Sequence, residues 1–197
     1  MSAVVASVAV FAFVATVSPG GATTLATASG TRFGFRRSIP LLAGIATGLA
    51  TLAAAAGLGL ASVMTAIPGL QLVTRIAGTA YLLWLARGIA RSGPPKETDL
   101  TRPRTFPTGV LLLWLNPKAW AMTLSAAAAF AGPGIGTAQL TGVFGVCFGV
   151  AAASSLTLWC GAGTVFARLL RTDRQWRTVN IVLAALVIAS IVPMWVE

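Results

Sequence analysis

Lys118 is the charged residue whose position is hardest to explain by a bland reading. It stands in Asn116-Pro117-Lys118, within an apolar stretch covering about 108–130. About twelve residues of helical rise beyond Phe106 carry it roughly 18 Å into a hydrocarbon core about 30 Å thick, if the stretch crosses a bilayer. A charge at that depth is costly, and its default reading is functional. An ammonium there can hold a carboxylate, with the Asn116 amide beside it and a backbone carbonyl opened by Pro117. The structural alternative is that Lys118 satisfies the carbonyls of a broken helix.

Ser18-Pro19-Gly20-Gly21 is the second constellation. Pro19 removes a backbone donor and disturbs the preceding turn, and the two glycines ease the break. A helix that restarts there presents free N–H groups and the positive end of its dipole, which suit a carboxylate. Ser18, Thr23 and Thr24 add hydroxyls. The alternative is a plain kink whose backbone groups are satisfied by neighbouring helices.

Other chemistry lacks its residues. The sequence has no His, which removes the commonest metal ligand and general base. Few hard or borderline ligands remain for a metal site, so no metal, no cofactor and no enzymatic reaction are expected. Cys147 and Cys160 fall in one apolar stretch. On a single helix they would be about 20 Å apart, too far for a disulfide. They read as packing residues, and a thiol–disulfide electron carrier is disfavoured.

The elements that must position these residues follow from composition. Of 197 residues, 56% are hydrophobic and 9% charged, and the mean hydropathy is +0.85. A soluble domain carries roughly 25% charged residues. No charge precedes Thr31, and with no Lys or Arg before the first apolar run a cleaved signal peptide is not expected. Six spans are predicted: a retained first helix at 1–28, a second from residue 38 up to the turn Ile67-Pro68-Gly69, a third at 70–90, a fourth at 108–130 interrupted at Asn116-Pro117-Lys118, a fifth at 138–169 and a sixth at 179–195. Gly132-Pro133-Gly134 separates the fourth from the fifth. Segment 91–107 is the one polar loop.

Net charge is +10, yet its placement argues against nucleic acid. Arg32, Arg36 and Arg37 are assigned to the loop between spans one and two, Arg87, Arg91, Lys96, Arg102 and Arg104 to the polar loop and its flanks, and Arg168, Arg171, Arg174 and Arg177 to the connection between spans five and six. These are twelve of the fourteen basic residues. The positive-inside rule makes those loops cytoplasmic and both termini external. Arg75 lies near the opposite surface, where it can snorkel. Of the aromatic residues Tyr81, Trp84, Trp114, Trp120, Trp159 and Trp195, the last is placed to anchor at an interface.

The two halves correspond in position. Ser18-Pro19-Gly20 and Asn116-Pro117-Lys118 are 98 residues apart, and Gly44 and Gly48 precede Gly145 and Gly149 by 101. Both glycine pairs are G-x-x-x-G, which lets helices approach closely. Three spans per half invert the second relative to the first, the layout of many secondary transporters. The expectation is an all-α polytopic protein, one membrane domain over 1–197, with repeat one at about 1–91, a cytoplasmic loop at about 92–106 and repeat two at about 107–197. A small-molecule substrate would bind at Ser18, Pro19, Gly20, Gly21, Thr23, Asn116, Pro117 and Lys118.

The chain resembles the LysE/RhtB family of amino-acid exporters over nearly its full length. The resemblance rests on Ser18-Pro19-Gly20, Gly44 with Gly48, and Gly78-Thr79-Ala80-Tyr81-Leu82-Leu83-Trp84-Leu85, then on Phe106, Gly109 and Asn116-Pro117-Lys118. It implies a LysE-type translocator that exports amino acids or related carboxylate-bearing metabolites from the bacterial cytoplasm, driven by the proton gradient. Three positions depart from the family pattern. Pro-Gly-Pro is here Pro19-Gly20-Gly21, Ala86 replaces a glycine, and 151–155 lacks the acidic residue that many members carry in the fifth helix. No predicted span contains Asp or Glu, which leaves the coupling ion open. Export of another small solute or ion, or a non-transporting role in membrane assembly, are the competing expectations. A homo-oligomer is left open.

Overall fold

The computed structural model describes residues 2–60, 68–91, 104–130, 136–170, 172–189 and 191. Within them the chain forms seven α-helices, and the described residues contain no strand. They are α1 (Ser2–Val17), α2 (Gly21–Ala55), α3 (Pro68–Arg91), α4 (Phe106–Trp114), α5 (Pro117–Phe130), α6 (Thr137–Leu169) and α7 (Asp173–Ala189). A π-helical turn, Ala56–Leu60, extends α2. Two stretches, Gly21–Gly59 and Thr137–Leu169, are long and apolar enough to cross a membrane.

The first of these stretches is not straight. Gly34 has φ 76° and ψ 170°, a backbone that side-chain-bearing residues rarely adopt. The hydroxyls of Ser29 and Ser38 lie 2.7 Å apart, whereas nine residues of straight helix would separate them by roughly 13 Å. The chain therefore turns back at Gly34. Residues 21–33 continue the course of α1, and residues 35–55 form the return arm. The first span accordingly reaches beyond the expected residue 28, as far as this turn.

Contacts fix the directions of the helices. Phe11 meets Phe148, Ser155 bonds to Thr16 and Trp159 to Val17, and Thr31 bonds to Gly163, so the first span runs parallel to α6. The return arm lies antiparallel to α6, with Gly57 beside Thr141 and Gly149 beside Ala50. It runs parallel to α4, with Gly44 against Phe106 and Thr51 bonded to Trp114. Lys118 meets Ser18 and Phe130 meets Phe11, which sets α5 antiparallel to the first span. Helices α3 and α7 pack on one another through Ala86, Ala184 and Val187, with Ala121 of α5 at their edge.

Small residues allow the closest crossings, the usual source of helix association where both sides are apolar. A Cβ on Gly44 would be driven into the Phe106 carbonyl, and one on Gly30 into the Cys160 carbonyl. Gly163 is equally confined by Thr27, and Gly109 by Leu41. The two G-x-x-x-G pairs are used differently. At Gly48 and Gly149 a Cβ would come within 3.1 Å of Leu113 and Ala50 alike, but at Gly145 the nearest neighbour, Ala54, is 3.5 Å away, an ordinary contact and unlike the Phe106 carbonyl at Gly44.

Helix α7 begins at Asp173, six residues before the expected start of the sixth span. Thr172 and Gln175 explain the early start. The Thr172 N–H donates to Gln175 Oε1 (3.1 Å), and the Gln175 N–H donates to Thr172 Oγ1 (3.3 Å). This reciprocal capping box is a helix-start signal in Thr172-Asp173-Arg174-Gln175. Arg174 and Arg177 consequently stand on the first turns of α7 and not in a loop. Gly132-Pro133-Gly134, Lys96, Arg102, Arg171 and Trp195 lie outside the described residues, as do the side chains of Arg75 and Tyr81.

Candidate functional site at two broken helices

Both expected breaks are present, between α1 and α2 and between α4 and α5. The second is a capped helix start. Asn116 Oδ1 accepts the Lys118 N–H at 3.1 Å, and the Asn116 carbonyl accepts the N–H groups of Ala119 and Trp120. Asn is among the best N-cap residues, and Pro117 takes the first helical position, where a missing N–H costs nothing. The Trp114 carbonyl, displaced from the helical ladder, accepts the Trp120 indole N–H at 2.6 Å. This break is repaired within its own segment.

The first break is repaired from outside. The last carbonyls of a helix lose their i+4 donors, and at membrane depth each such group left bare costs several kcal/mol. Here every one has a side-chain donor. Ser18 Oγ donates to the Ala15 carbonyl (2.8 Å), in place of the N–H that Pro19 lacks. Ser155 of α6 donates to the Thr16 carbonyl (2.7 Å), and the Trp159 indole donates to Val17 (3.1 Å). The Lys118 ammonium donates to the carbonyls of Ser18 (2.9 Å) and Pro19 (3.1 Å) and to Ser18 Oγ (2.7 Å). Beyond the gap, Gly20 N–H donates to Thr23 Oγ1 at 2.8 Å, and the Gly20 carbonyl accepts the Thr24 N–H that opens α2.

Lys118 therefore faces the carbonyl end of α1, the negative end of that half-helix, where a cation is favoured. Of the two sequence readings of Lys118, a carboxylate partner or the carbonyls of a broken helix, its contacts here are to the carbonyls. All three ammonium protons are engaged by neutral oxygens. Gly20 lies directly alongside, and a Cβ there would come within 3.2 Å of Lys118 Nζ.

A cavity of about 40 Å³ adjoins this junction, large enough for water molecules. Ser18, Gly20, Gly21, Thr23, Asn116 and Lys118 line it. Pro19 and Pro117 stand behind the lining: Pro19 supplies its carbonyl to Lys118, and Pro117 is buried at the head of α5. Two further lining residues, Thr16 and Ser155, escaped the sequence reading. Their only signal was Ser155 as a polar residue on an apolar helix, and its partner is a backbone oxygen 139 residues away. Between the break and the start of α1, Phe11, Phe130, Phe144 and Phe148 meet edge to face with centroids 5.8 to 6.5 Å apart.

Among the described residues no group of His, Cys, Asp and Glu is arranged to hold a metal ion. The site offers neutral oxygens, one ammonium and one helix N-terminus. Such a set can hold a small charged solute.

Comparison with known proteins agrees with this equipment. Residues 4–190 match the family described as LysE type translocator. A cysteine/O-acetylserine efflux protein of Escherichia coli O1:K1 is 34% identical over 182 residues, covering 90% of each chain. Proteins of the same description from Escherichia coli K12 and from Shigella flexneri serotype 5b are likewise 34% identical over 90% of each chain. No solved structure matches. An apolar helical bundle, a cavity at two helix breaks with Ser18, Asn116 and Lys118 in its lining, and a family match over nearly the full length converge: the chain belongs to the LysE type translocator family, and it is an integral membrane transporter, not an enzyme.

Proposed function

We propose that this protein exports a small zwitterionic amino acid of the cysteine or O-acetylserine kind across the bacterial cytoplasmic membrane, binding it where the two broken helices meet. The observation that carries this reading is the bridge from Lys118 on α5 to the carbonyls of Ser18 and Pro19, with a cavity beside it whose mostly apolar wall carries Ser18, Thr23, Asn116 and Lys118. The names of the relatives supply the substrate class. The N–H groups that open α2, with Gly21 and Thr23 beside the cavity, and Lys118 once released from α1, hold the carboxylate. Asn116 and Pro117 set the position of Lys118 by fixing the start of α5.

The wider architecture is six spans in a single membrane domain, arranged as two inverted repeats of three. Supporting this, the first span and α5 run antiparallel, as do the return arm of α2 and α6, which are the pairs that inversion would relate. Orientation places the basic loops in the cytoplasm and both termini outside. The turn at Gly34 and the end of α6 lie toward one end of the bundle, and with them Arg32, Arg36, Arg37 and Arg168.

The test is efflux from proteoliposomes loaded with radiolabelled cysteine or O-acetylserine. The wild type is expected to release at least one of them, and Lys118→Ala to lower the rate at least tenfold at equal protein content. Unchanged efflux by Lys118→Ala would remove Lys118 from the site.

A further inference from the structure

An exporter of amino acids must hold an ammonium as well as a carboxylate, and the described spans contain no acidic residue: Asp173, at the head of α7, is the only Asp or Glu among the described residues. We propose that the Ser18 and Pro19 carbonyls and the Ser18 hydroxyl form the ammonium subsite for the transported amino acid, and that Lys118 occupies it between cycles as a tethered substitute for the solute's own ammonium. This rests on the reading of the two breaks as the transport site.

The geometry is that of an ammonium receptor. Three oxygens lie 2.7 to 3.1 Å from a single nitrogen, one for each N–H of an R–NH3+ group. The oxygens belong to the negative end of α1, so they favour a cation without a carboxylate nearby. The adjacent carbonyls of Thr16 and Val17 are fixed by Ser155 and Trp159, which leaves those of Ser18 and Pro19 for an ammonium. Gly20 keeps the flank bare, where a side chain would crowd the nitrogen. The cavity touches Ser18 and Lys118 together, so a solute inside it is within one side-chain movement of the exchange.

Exchange conserves charge, and this imposes a selectivity. A zwitterion brings an ammonium that takes the oxygens and a carboxylate that pairs with the displaced Lys118. A solute with only an ammonium would evict Lys118 and leave its charge unpaired in a low-dielectric site, which is strongly unfavourable. A solute with only a carboxylate meets a lysine that is already satisfied. Both single-charge analogues should therefore bind worse than the zwitterion, each for a different reason.

The experiment measures binding to the purified full-length protein in lipid nanodiscs, with L-cysteine, N-acetyl-L-cysteine and L-cysteine methyl ester as probes. Wild type is expected to bind cysteine at least tenfold tighter than either analogue. In Lys118→Met the oxygens are vacant and no lysine waits for a carboxylate, so the order should reverse: the methyl ester should bind at least tenfold tighter than it does to wild type, and tighter than cysteine. N-acetylcysteine binding to wild type as tightly as cysteine would overturn the ammonium subsite while leaving the transport site standing. A folded Lys118→Met protein with no gain for the ester would overturn it too. Failure of wild type to bind cysteine or O-acetyl-L-serine would instead sink the proposed function, and this inference with it. The wild-type comparison decides the matter even if the variant does not fold.

Discussion

At Gly20 the extended backbone brings its Cα against the Lys118 side chain, and an added methyl would lie 3.1 Å from Cδ and 3.2 Å from Nζ. Lysine is flexible, so the methyl would be accommodated by moving the ammonium and not by breaking the fold. Gly20→Ala is therefore expected to reach the membrane at wild-type levels while slowing efflux severalfold, with immunoblotting and proteoliposome flux as the paired readouts. Equal flux would show that the ammonium position does not matter to transport. The sequence made Lys118 conspicuous by depth alone, and Pro19 by its missing donor. It did not show which end of a half-helix the ammonium serves. That depends on where α5 lies against α1, a contact between residues 100 positions apart.

Among the elements, two kinds of signal had different legibility. Helix starts are local, so Asn116-Pro117 and Thr172-Asp173-Arg174-Gln175 both spell their caps in a few residues. The second is invisible to hydropathy, which marks where a membrane begins, whereas a helix begins where its first N–H groups find acceptors. Close crossings are not local. Gly44 and Gly145 look equivalent in their repeated motifs, yet only Gly44 has a backbone carbonyl in the place of its missing Cβ. Gly44→Ala must separate the return arm of α2 from α4 and is expected to destabilise the protein by about 1–3 kcal/mol. Gly145→Ala should be nearly neutral. Thermal unfolding in detergent compares the two, and equal midpoints would contradict the packing described.

For the molecule as a whole, Arg32, Arg36, Arg37 and Arg168 lie toward the end of the bundle where the first span turns back at Gly34, and the phenylalanine cluster packs on the other side of the break. If the basic end is cytoplasmic, single cysteines introduced by Arg36→Cys and Thr137→Cys, in a background carrying Cys147→Ser and Cys160→Ala, should label differently. A membrane-impermeant maleimide applied to intact cells is expected to modify the residue 137 site and leave residue 36 untouched until the membrane is opened. The reverse pattern would invert the orientation.

The sequence by itself determined the membrane class, the two helix breaks and the clustering of positive charge. Each follows from local physics: apolar runs long enough for a bilayer, prolines that interrupt a hydrogen-bond ladder, and glycines and caps beside them. Only the tertiary structure decided that the first span turns back at Gly34, that Ser155 and Trp159 complete the first break, and that Lys118 holds the carbonyl end of α1. Those outcomes turn on which donor reaches which orphaned carbonyl. That is settled by the packing of distant helices, because a carbonyl left bare at membrane depth costs several kcal/mol.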